Sequence, residues 1–91
     1  MEFEFQWDEG NGLKNFTKHG ITREQSEQVF FNPYVLKPDK RHSNREDRFN
    51  LIGKTDSGKV LFMSFTVRSN KIRIISARPA DKKERKTYEE T

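Results

Sequence analysis

Positively charged side chains dominate the second half of this 91-residue sequence, and they are the residues best suited to chemistry. Residues 1–36 carry a net charge of −3, whereas residues 37–91 carry +7. The guanidinium group of arginine offers N–H donors in a rigid fork and keeps its proton at neutral pH, which suits it to binding phosphate. The cations on or just beyond the predicted strands are Arg48, Arg68, Arg73, Arg78, Lys82, Lys83, Arg85 and Lys86. We therefore expect an anion site, with a polyanion or an acidic protein as partner.

A second interpretation of the same arginines remains open at the level of sequence. Each arginine covers the surface of the sheet or pairs with a nearby carboxylate, for which Glu46, Asp47 and Glu84 are available. Exposed ion pairs of this kind are common on charged protein surfaces and carry no chemistry of their own.

Three other side chains have groups that bind phosphate or transfer protons. His19 is predicted at the end of a helix, where the helix dipole favours its protonated form, so it is a general acid or only a helix-end residue. Ser76 is a hydrogen-bond donor to phosphate or only a small residue in a strand. Tyr88, on a predicted terminal helix, is a proton donor or an anchor for that helix.

What the sequence lacks excludes several classes of protein. Without cysteine there is no disulfide framework, no thiolate metal site and no cysteine nucleophile. His19 and His42 are far apart, and the sequence contains neither a phosphate-binding glycine loop nor a Gly-x-Ser-x-Gly motif, so we expect no metal and no cofactor. No apolar run approaches about 20 residues and no signal-peptide pattern opens the chain, which favours a cytoplasmic protein without membrane contact.

The chain length predicts one small domain, residues 1–91, that begins with a strand and two helices. Alternation of apolar and polar residues predicts a strand over residues 3–7. A first helix is predicted from Glu9 to His19 and ends at Gly20. Thr22 and Gln25 form a capping box for a second helix, which Asn32-Pro33 terminates. Together these helices form an αα-hairpin.

An antiparallel sheet and a helix are predicted for the rest of the chain. The bracketing prolines predict a short edge strand at residues 34–38, followed by a charged loop at 39–47. Three further strands at 48–53, 60–67 and 71–77 are separated by the turn sequences Asp56-Ser57-Gly58 and Ser69-Asn70. Asp81 and Glu84 form a capping box for a basic helix that reaches the C-terminus. The fold class is therefore α+β, with the αα-hairpin on one face of the sheet.

Strand periodicity assigns side chains to the two faces of this sheet. Leu61, Met63, Phe65 and Val67 share an apolar face, whereas Phe62, Ser64 and Thr66 share a more polar one. In the last strand apolar residues occupy both parities, which indicates either that both faces are covered or that a β-bulge intervenes. The residues expected to be buried together are Phe5, Phe16, Phe30, Leu61, Met63 and Phe65.

Short motifs distributed along the chain resemble the BrnT toxin family. They are Trp7-Asp8-Glu9, Asn15, Lys18-His19-Gly20-Ile21, Val29-Phe30, Asn32-Pro33, Glu46-Asp47-Arg48, Ile52-Gly53, Ile72 to Ala80, Glu84-Arg85 and Tyr88-Glu89. The resemblance runs from residue 5 to residue 89 in the expected order. It departs from the family's pattern at Gly10, Gly12 and Pro79, the last where a second arginine is common. The resemblance implies a RelE-like fold, RNA cleavage that blocks translation, and a ribbon-helix-helix antitoxin similar to BrnA, through which alone the toxin would reach operator DNA.

A RelE-like ribonuclease uses the 2′-hydroxyl of the RNA as its nucleophile and needs no metal ion, only an acid, a base and cations that stabilise the charged transition state. The resemblance thus implies that Arg48 and Arg78 hold the phosphate, with Arg68 and Arg73 in support. The candidates for proton transfer are His19, Glu46 and Tyr88. Further contacts to RNA are expected from Ser76, Lys82 and Lys83. The alternative function is a non-catalytic basic module that binds nucleic acid or an acidic protein.

Overall fold

A computed structural model describes residues 3–8, 19–42 and 46–91 of the chain. Its elements are α1 (Arg23–Gln28), β1 (Tyr34–Pro38), a 3₁₀ turn (Lys40–His42), β2 (Arg48–Lys54), β3 (Val60–Arg68), β4 (Lys71–Pro79) and α2 (Lys82–Glu89). The antiparallel sheet and the C-terminal helix are thereby confirmed. The second predicted helix is present as α1, whereas the first, from Glu9 to His19, lies outside the described residues except for His19. The αα-hairpin is therefore not confirmed.

The four strands form one antiparallel sheet in the order β1-β2-β3-β4. At the β3–β4 turn Ser69 and Asn70 both have positive φ, 50° and 64°, as a tight two-residue hairpin turn requires. The observed β2, β3 and β4 each begin at the predicted residue and extend one or two residues beyond the predicted end. The predicted starts of these three strands therefore match the structure, whereas the predicted ends fall one or two residues short.

The strand predicted over residues 3–7 is reduced to a single bridge, in which Phe5 pairs in parallel with Ile72 of β4. The amide of Gln6 donates to the carbonyl of Ile72 at 2.8 Å, and the amide of Ile72 donates to the carbonyl of Glu4 at 2.8 Å. The prediction of a full strand was wrong because alternation reports which side chains are buried, not how many backbone pairs form.

Both predicted capping boxes are present. At the start of α1, the Thr22 hydroxyl accepts from the amide of Gln25, whose side chain accepts from the amide of Thr22. Asp81 and Glu84 make the same reciprocal pair at the start of α2. Each box satisfies backbone N–H groups that a helix N-terminus leaves unpaired.

The hydrophobic core lies on one face of the sheet, between the strands and α1. Its buried residues are Ile21, Val29, Phe30, Leu51, Leu61, Met63, Phe65, Ile72, Ile74 and Ala77, with Phe3, Phe5, Trp7 and Phe49 packed against them. Four of the six residues predicted for the core are thus buried, Phe5 is partly buried, and Phe16 lies outside the described residues. Phe30 and Phe65 meet edge to face, with ring centroids 5.2 Å apart.

Two residues near the end of β3 depart from the burial that was predicted for their faces. Val67 was assigned to the core but is 50% exposed, because it lies next to the turn and beyond the packed part of the sheet. Thr66 was assigned to the polar surface but is buried, and its hydroxyl donates to the carbonyl of Asp47 at 2.6 Å.

A β-bulge in β4 explains why its isoleucines occupy both parities. Ser64 pairs with Ser76 and Phe65 pairs with Ile74, so Ile75 is an extra residue opposite β3. Ile74 and Ala77 are buried in the core, whereas Ile75 and Ser76 line a pocket on the other face. Of the two alternatives, the bulge is therefore confirmed.

Among residues 3–8, 19–42 and 46–91, no helix is long and apolar enough to cross a membrane.

Candidate functional site

The face of the sheet opposite the core carries polar and basic side chains in cross-strand rows, and we call it the open face. One row runs from Asn50 through Ser64 to Ser76, since these residues are register partners across β2, β3 and β4. The next row toward the 3₁₀ turn is Arg48, Thr66 and Arg73, and the row on the other side is Ile52, Phe62 and Arg78. Residues far apart in sequence thus share one surface.

A basic pocket of about 310 Å³ opens on this face. It is lined by Asp39, Arg41, Arg48, Asn50, Phe62, Ser64, Ile75 and Ser76. The amide of Asp39 donates to the carbonyl of Arg48 at 2.8 Å, which continues the β1–β2 ladder and holds both residues at the rim. Arg41 comes from the 3₁₀ turn that follows. The pocket therefore joins two cations to a row of hydrogen-bonding side chains.

A second pocket continues from the first toward α2. It is lined by Val35, Lys37, Asn50, Ile52, Phe62, Asp81, Lys83, Glu84 and Thr87. Ile52 belongs to the open face yet is only 8% exposed. Asn50 and Phe62 line both pockets, so the two pockets are adjacent and together extend from the 3₁₀ turn to α2 as a groove. We refer to it as the groove.

Arg78 is held firmly beside the groove. Its guanidinium makes two 2.8 Å hydrogen bonds to the carboxylate of Glu84, which raise the pKa of Arg78 above its ordinary value. The same guanidinium lies 4.4 Å from the ring centroid of Phe62. A cation fixed by a carboxylate and an aromatic ring is preorganised, although part of its charge is already neutralised.

Arg68 and Arg73 are also paired with carboxylates. Arg68 makes two 2.8 Å hydrogen bonds to Glu46, and Arg73 bonds Asp8 at 2.7 and 3.1 Å. The Arg68 hydrogen bonds hold the pKa of Glu46 below the ordinary range of a glutamate, so this carboxylate is a weak proton acceptor at neutral pH. The interpretation in which arginines pair with carboxylates is thus confirmed for Arg68 and Arg78, with the predicted partners Glu46 and Glu84. Arg73 is also paired, but with Asp8, which was not among the predicted partners.

The remaining predicted site residues are not all brought together. Ser76 lines the basic pocket and Lys83 lines the groove beside α2, whereas Lys82 is exposed at the start of that helix. The hydroxyl of Tyr88 donates to the carbonyl of Pro33 at 2.9 Å, so Tyr88 anchors α2. His19 is half-buried, two residues before the core residue Ile21, and does not line the groove.

Several groove residues were not predicted as site residues, among them Asp39, Arg41, Asn50 and Phe62. The sequence did contain a signal for Asn50 and Phe62, since strand alternation assigned both to the polar side of the sheet. Asp39 and Arg41 fell in a charged loop without periodicity. Only the register of β1 against β2 brings that loop over the open face.

Comparison with protein families gives one match. The model of the ribonuclease toxin BrnT of type II toxin-antitoxin systems matches residues 7–84. The chain belongs to this family. No curated protein matches the sequence. Membership in the BrnT family identifies RNA as the substrate and an antitoxin protein as the partner, and the matched residues include every strand that contributes to the groove.

Proposed function

We propose that the chain cleaves RNA in the groove by attack of the RNA's own 2′-hydroxyl, without a metal ion. The observation that carries the proposal is the basic pocket, where Arg41 and Arg48 border a row of hydrogen-bonding side chains on the open face. Arginine clusters recognise phosphate through paired N–H donors.

In this proposal Arg48 and Arg78 bind two neighbouring parts of the RNA backbone. Arg48 is half-buried in the pocket wall and stabilises the negative charge that develops on the phosphorus oxygens. Arg78 lies two rows from Arg48, at the base of α2, and contacts the neighbouring phosphate or its sugar. Arg68 and Arg73, with their carboxylate partners, contribute to the positive potential that attracts RNA.

The chemical step requires a base near the 2′-hydroxyl. We assign this role to Asp39, because it is the one acidic residue among those that line the basic pocket. The base takes the 2′ proton, a bond forms between the 2′ oxygen and phosphorus, and the bond from phosphorus to the 5′ oxygen breaks. The departing 5′ oxygen takes a proton from solvent, which leaves a 2′,3′-cyclic phosphate and a 5′-hydroxyl. His19 and Tyr88 remain candidates for the proton donor only if RNA binding moves them closer, whereas Glu46, whose pKa Arg68 lowers, holds no proton to donate at neutral pH.

The antitoxin, in this proposal a ribbon-helix-helix protein, inhibits by occupying the groove. The groove carries Arg41, Arg48 and Lys83 on a surface that the described residues leave open, so an acidic or amphipathic helix fits its charge. Such a helix excludes RNA because both ligands need the same cations. Contact with operator DNA then comes through the antitoxin alone.

Product analysis in EDTA tests the enzymatic mechanism. We expect 2′,3′-cyclic phosphate ends from an unstructured RNA, with a rate that falls by about 10²-fold for Arg48→Ala, the usual cost of removing one transition-state donor. Lys59→Ala, which removes an exposed cation of the β2–β3 turn, serves as the control and keeps full activity. Cleavage that stops in EDTA contradicts the metal-free mechanism. Salt-sensitive binding without any cleavage supports the alternative, a non-catalytic basic module.

Growth of a bacterial host tests the toxin function directly. Expression of the wild-type chain alone should arrest growth and protein synthesis. Arg78→Ala should relieve the arrest while the protein stays folded, because a partly exposed ion pair such as that of Arg78 with Glu84 contributes about 1 kcal/mol or less to stability. A folded Arg78→Ala variant that is as toxic as the wild type removes Arg78 from the site.

A further inference from the structure

We infer that the groove contains a subsite for one unpaired nucleobase, whose carbonyl edge is recognised by Asn50 and whose ring lies against Phe62. The inference rests on the proposed function and adds a base preference to it. Four residues carry it: Asn50, Phe62, Ser64 and Ser76.

The position of these residues between two charged regions is the first argument. Asn50 and Phe62 line both pockets, so they lie midway along the groove between the cations at the 3₁₀ turn and the start of α2. A strand whose phosphate contacts Arg48 must place an adjacent base within reach of them. Phosphate contacts position a nucleic acid, whereas contacts to base edges provide sequence preference.

Hydrogen bonding within the row determines what Asn50 presents to a ligand. The Ser64 hydroxyl donates to the Oδ1 atom of Asn50 at 2.9 Å, so the amide oxygen is already engaged. The Nδ2 group of Asn50 carries two N–H donors, and Asn50 lines the pocket. The complement of these donors is an acceptor, and uracil, cytosine and guanine offer a carbonyl oxygen. Adenine offers only ring nitrogens, and its usual bidentate pair with asparagine also needs the Oδ1 atom that Ser64 engages. Ser76, the register partner of Ser64, adds a hydroxyl beside it.

Phe62 provides a surface on which a base can stack. The Arg78 guanidinium covers one face of its ring at 4.4 Å from the centroid, and Glu84 holds that guanidinium in place, so the proposed base lies against the other face. The ring is therefore fixed, and it borders both pockets. Stacking of a base on an aromatic side chain tolerates any base, so Phe62 supplies affinity and Asn50 supplies the preference.

Single-stranded RNA fits this subsite better than a duplex. In an A-form duplex the bases are stacked and paired, and the deep major groove keeps their edges from side chains. The basic pocket, at about 310 Å³, lies at the lower limit for small-molecule sites and suits one unstacked base.

The test uses short RNAs in which all riboses except one are 2′-O-methylated, so that each RNA has a single cleavable position. The RNAs differ only in the base next to that position. We expect cleavage to be faster with uracil, cytosine or guanine at that position than with adenine, by about tenfold, the value of one good hydrogen bond. Asn50→Ala should reduce this ratio to near one. Phe62→Leu should raise KM about tenfold or more for all four bases while leaving the ratio intact.

Two substitutions outside the groove serve as matched controls. Asn32→Ala removes the same side chain from the turn before β1, and Val67→Ala removes an exposed apolar side chain from the strand that carries Phe62. Both should leave the base ratio and KM unchanged. If either control alters them as Asn50→Ala and Phe62→Leu do, the subsite is elsewhere.

A binding measurement separates failure of this inference from failure of the proposed function. Fully 2′-O-methylated RNAs cannot be cut by 2′ attack, and their affinities for the chain report base preference without catalysis. Cleavage with equal rates and equal affinities for the four bases overturns the subsite and leaves the ribonuclease intact. A base preference in binding that Asn50→Ala abolishes, found without any cleavage, supports the subsite and overturns the enzymatic proposal.

Discussion

The two faces of the sheet differ in how their side chains are satisfied. On the core face, Phe30, Phe49 and Phe65 are joined by ring contacts of 5.2 and 5.4 Å, and Met63 has no exposed surface. On the open face, polar groups satisfy one another through hydrogen bonds such as that from Ser64 to Asn50. One face therefore supplies stability through apolar burial, and the other remains available for a ligand.

Three arginines of the open face are likewise satisfied by polar partners. Arg68, Arg73 and Arg78 each have a carboxylate partner on a different part of the chain. Such pairs contribute little to stability at the surface, but they hold the guanidinium groups in fixed orientations. These three guanidinium groups therefore lie in defined orientations on the side of the sheet opposite the core.

The largest expected effect compares neighbours on β3 that point to opposite faces. Met63→Ala creates a cavity in the core and should lower the free energy of unfolding by about 2–5 kcal/mol. Ser64→Ala removes one partly exposed hydrogen bond and should cost about 1 kcal/mol or less. Urea denaturation of both variants measures the difference. Equal losses would contradict the division between a stabilising face and a binding face.

Antitoxin binding distinguishes two arginines of the open face, Arg48 in the groove and Arg68 at the end of β3. Arg48→Ala should weaken the complex by about 2–5 kcal/mol, mainly through faster dissociation, because it removes a contact that the antitoxin buries. Arg68→Ala, at the exposed end of β3, should alter dissociation far less. For the wild type, the association rate should fall as salt rises.

Surface plasmon resonance with purified antitoxin, read beside RNA cleavage, checks both variants. An antitoxin that binds Arg48→Ala as tightly as the wild type, yet still abolishes cleavage by the wild type, must act from a remote surface. Direct occupation of the groove would then be wrong.

The smallest expected effect concerns the exposed Glu46 and Arg68 pair. Because Arg68 lowers the pKa of Glu46 in the folded state, this carboxylate stabilises the fold at pH values above the ordinary glutamate pKa. That contribution is lost as the pH falls through the lowered, folded-state pKa. Glu46→Gln should therefore be slightly less stable than the wild type at neutral pH, with the difference vanishing in acid.

Thermal unfolding at a series of pH values measures this effect, and Asp56→Gln in the β2–β3 turn provides a control that removes a carboxylate outside the arginine pairs. A stability difference for Glu46→Gln that grows in acid would show that the pair does not stabilise the folded state.

Local chemistry allowed much of the fold to be predicted. Thr22 with Gln25, and Asp81 with Glu84, lie three residues apart, so each capping box is decided within one helical turn. The Ser69-Asn70 turn follows from the tolerance of asparagine for positive φ. These features depend on residues close in sequence, and they were confirmed.

The length of strand pairing and the limits of the core were harder to predict. The segment around Phe5 pairs with β4 through one bridge, and Val67 lies beyond the packed region. Alternation is the same whether a segment forms one backbone pair or five, and whether its last apolar residue is covered or not. Neighbouring elements decide both, so the sequence pattern around these residues does not contain the answer.

The sequence alone was enough to predict the capping boxes, the turns and the types of side chain on the open face. Those side chains are arginines, asparagine, serines and one phenylalanine. Only the tertiary structure decided which of them meet. Arg73 pairs with Asp8 across 65 positions, and a bulge at Ile75 turns Ser76 toward the open face. The register of β1 on β2 carries Asp39 to the rim of the basic pocket. The physical reason is that caps and turns are satisfied by their own neighbours, whereas ion pairs and pockets need a complete sheet to bring distant residues within hydrogen-bond distance.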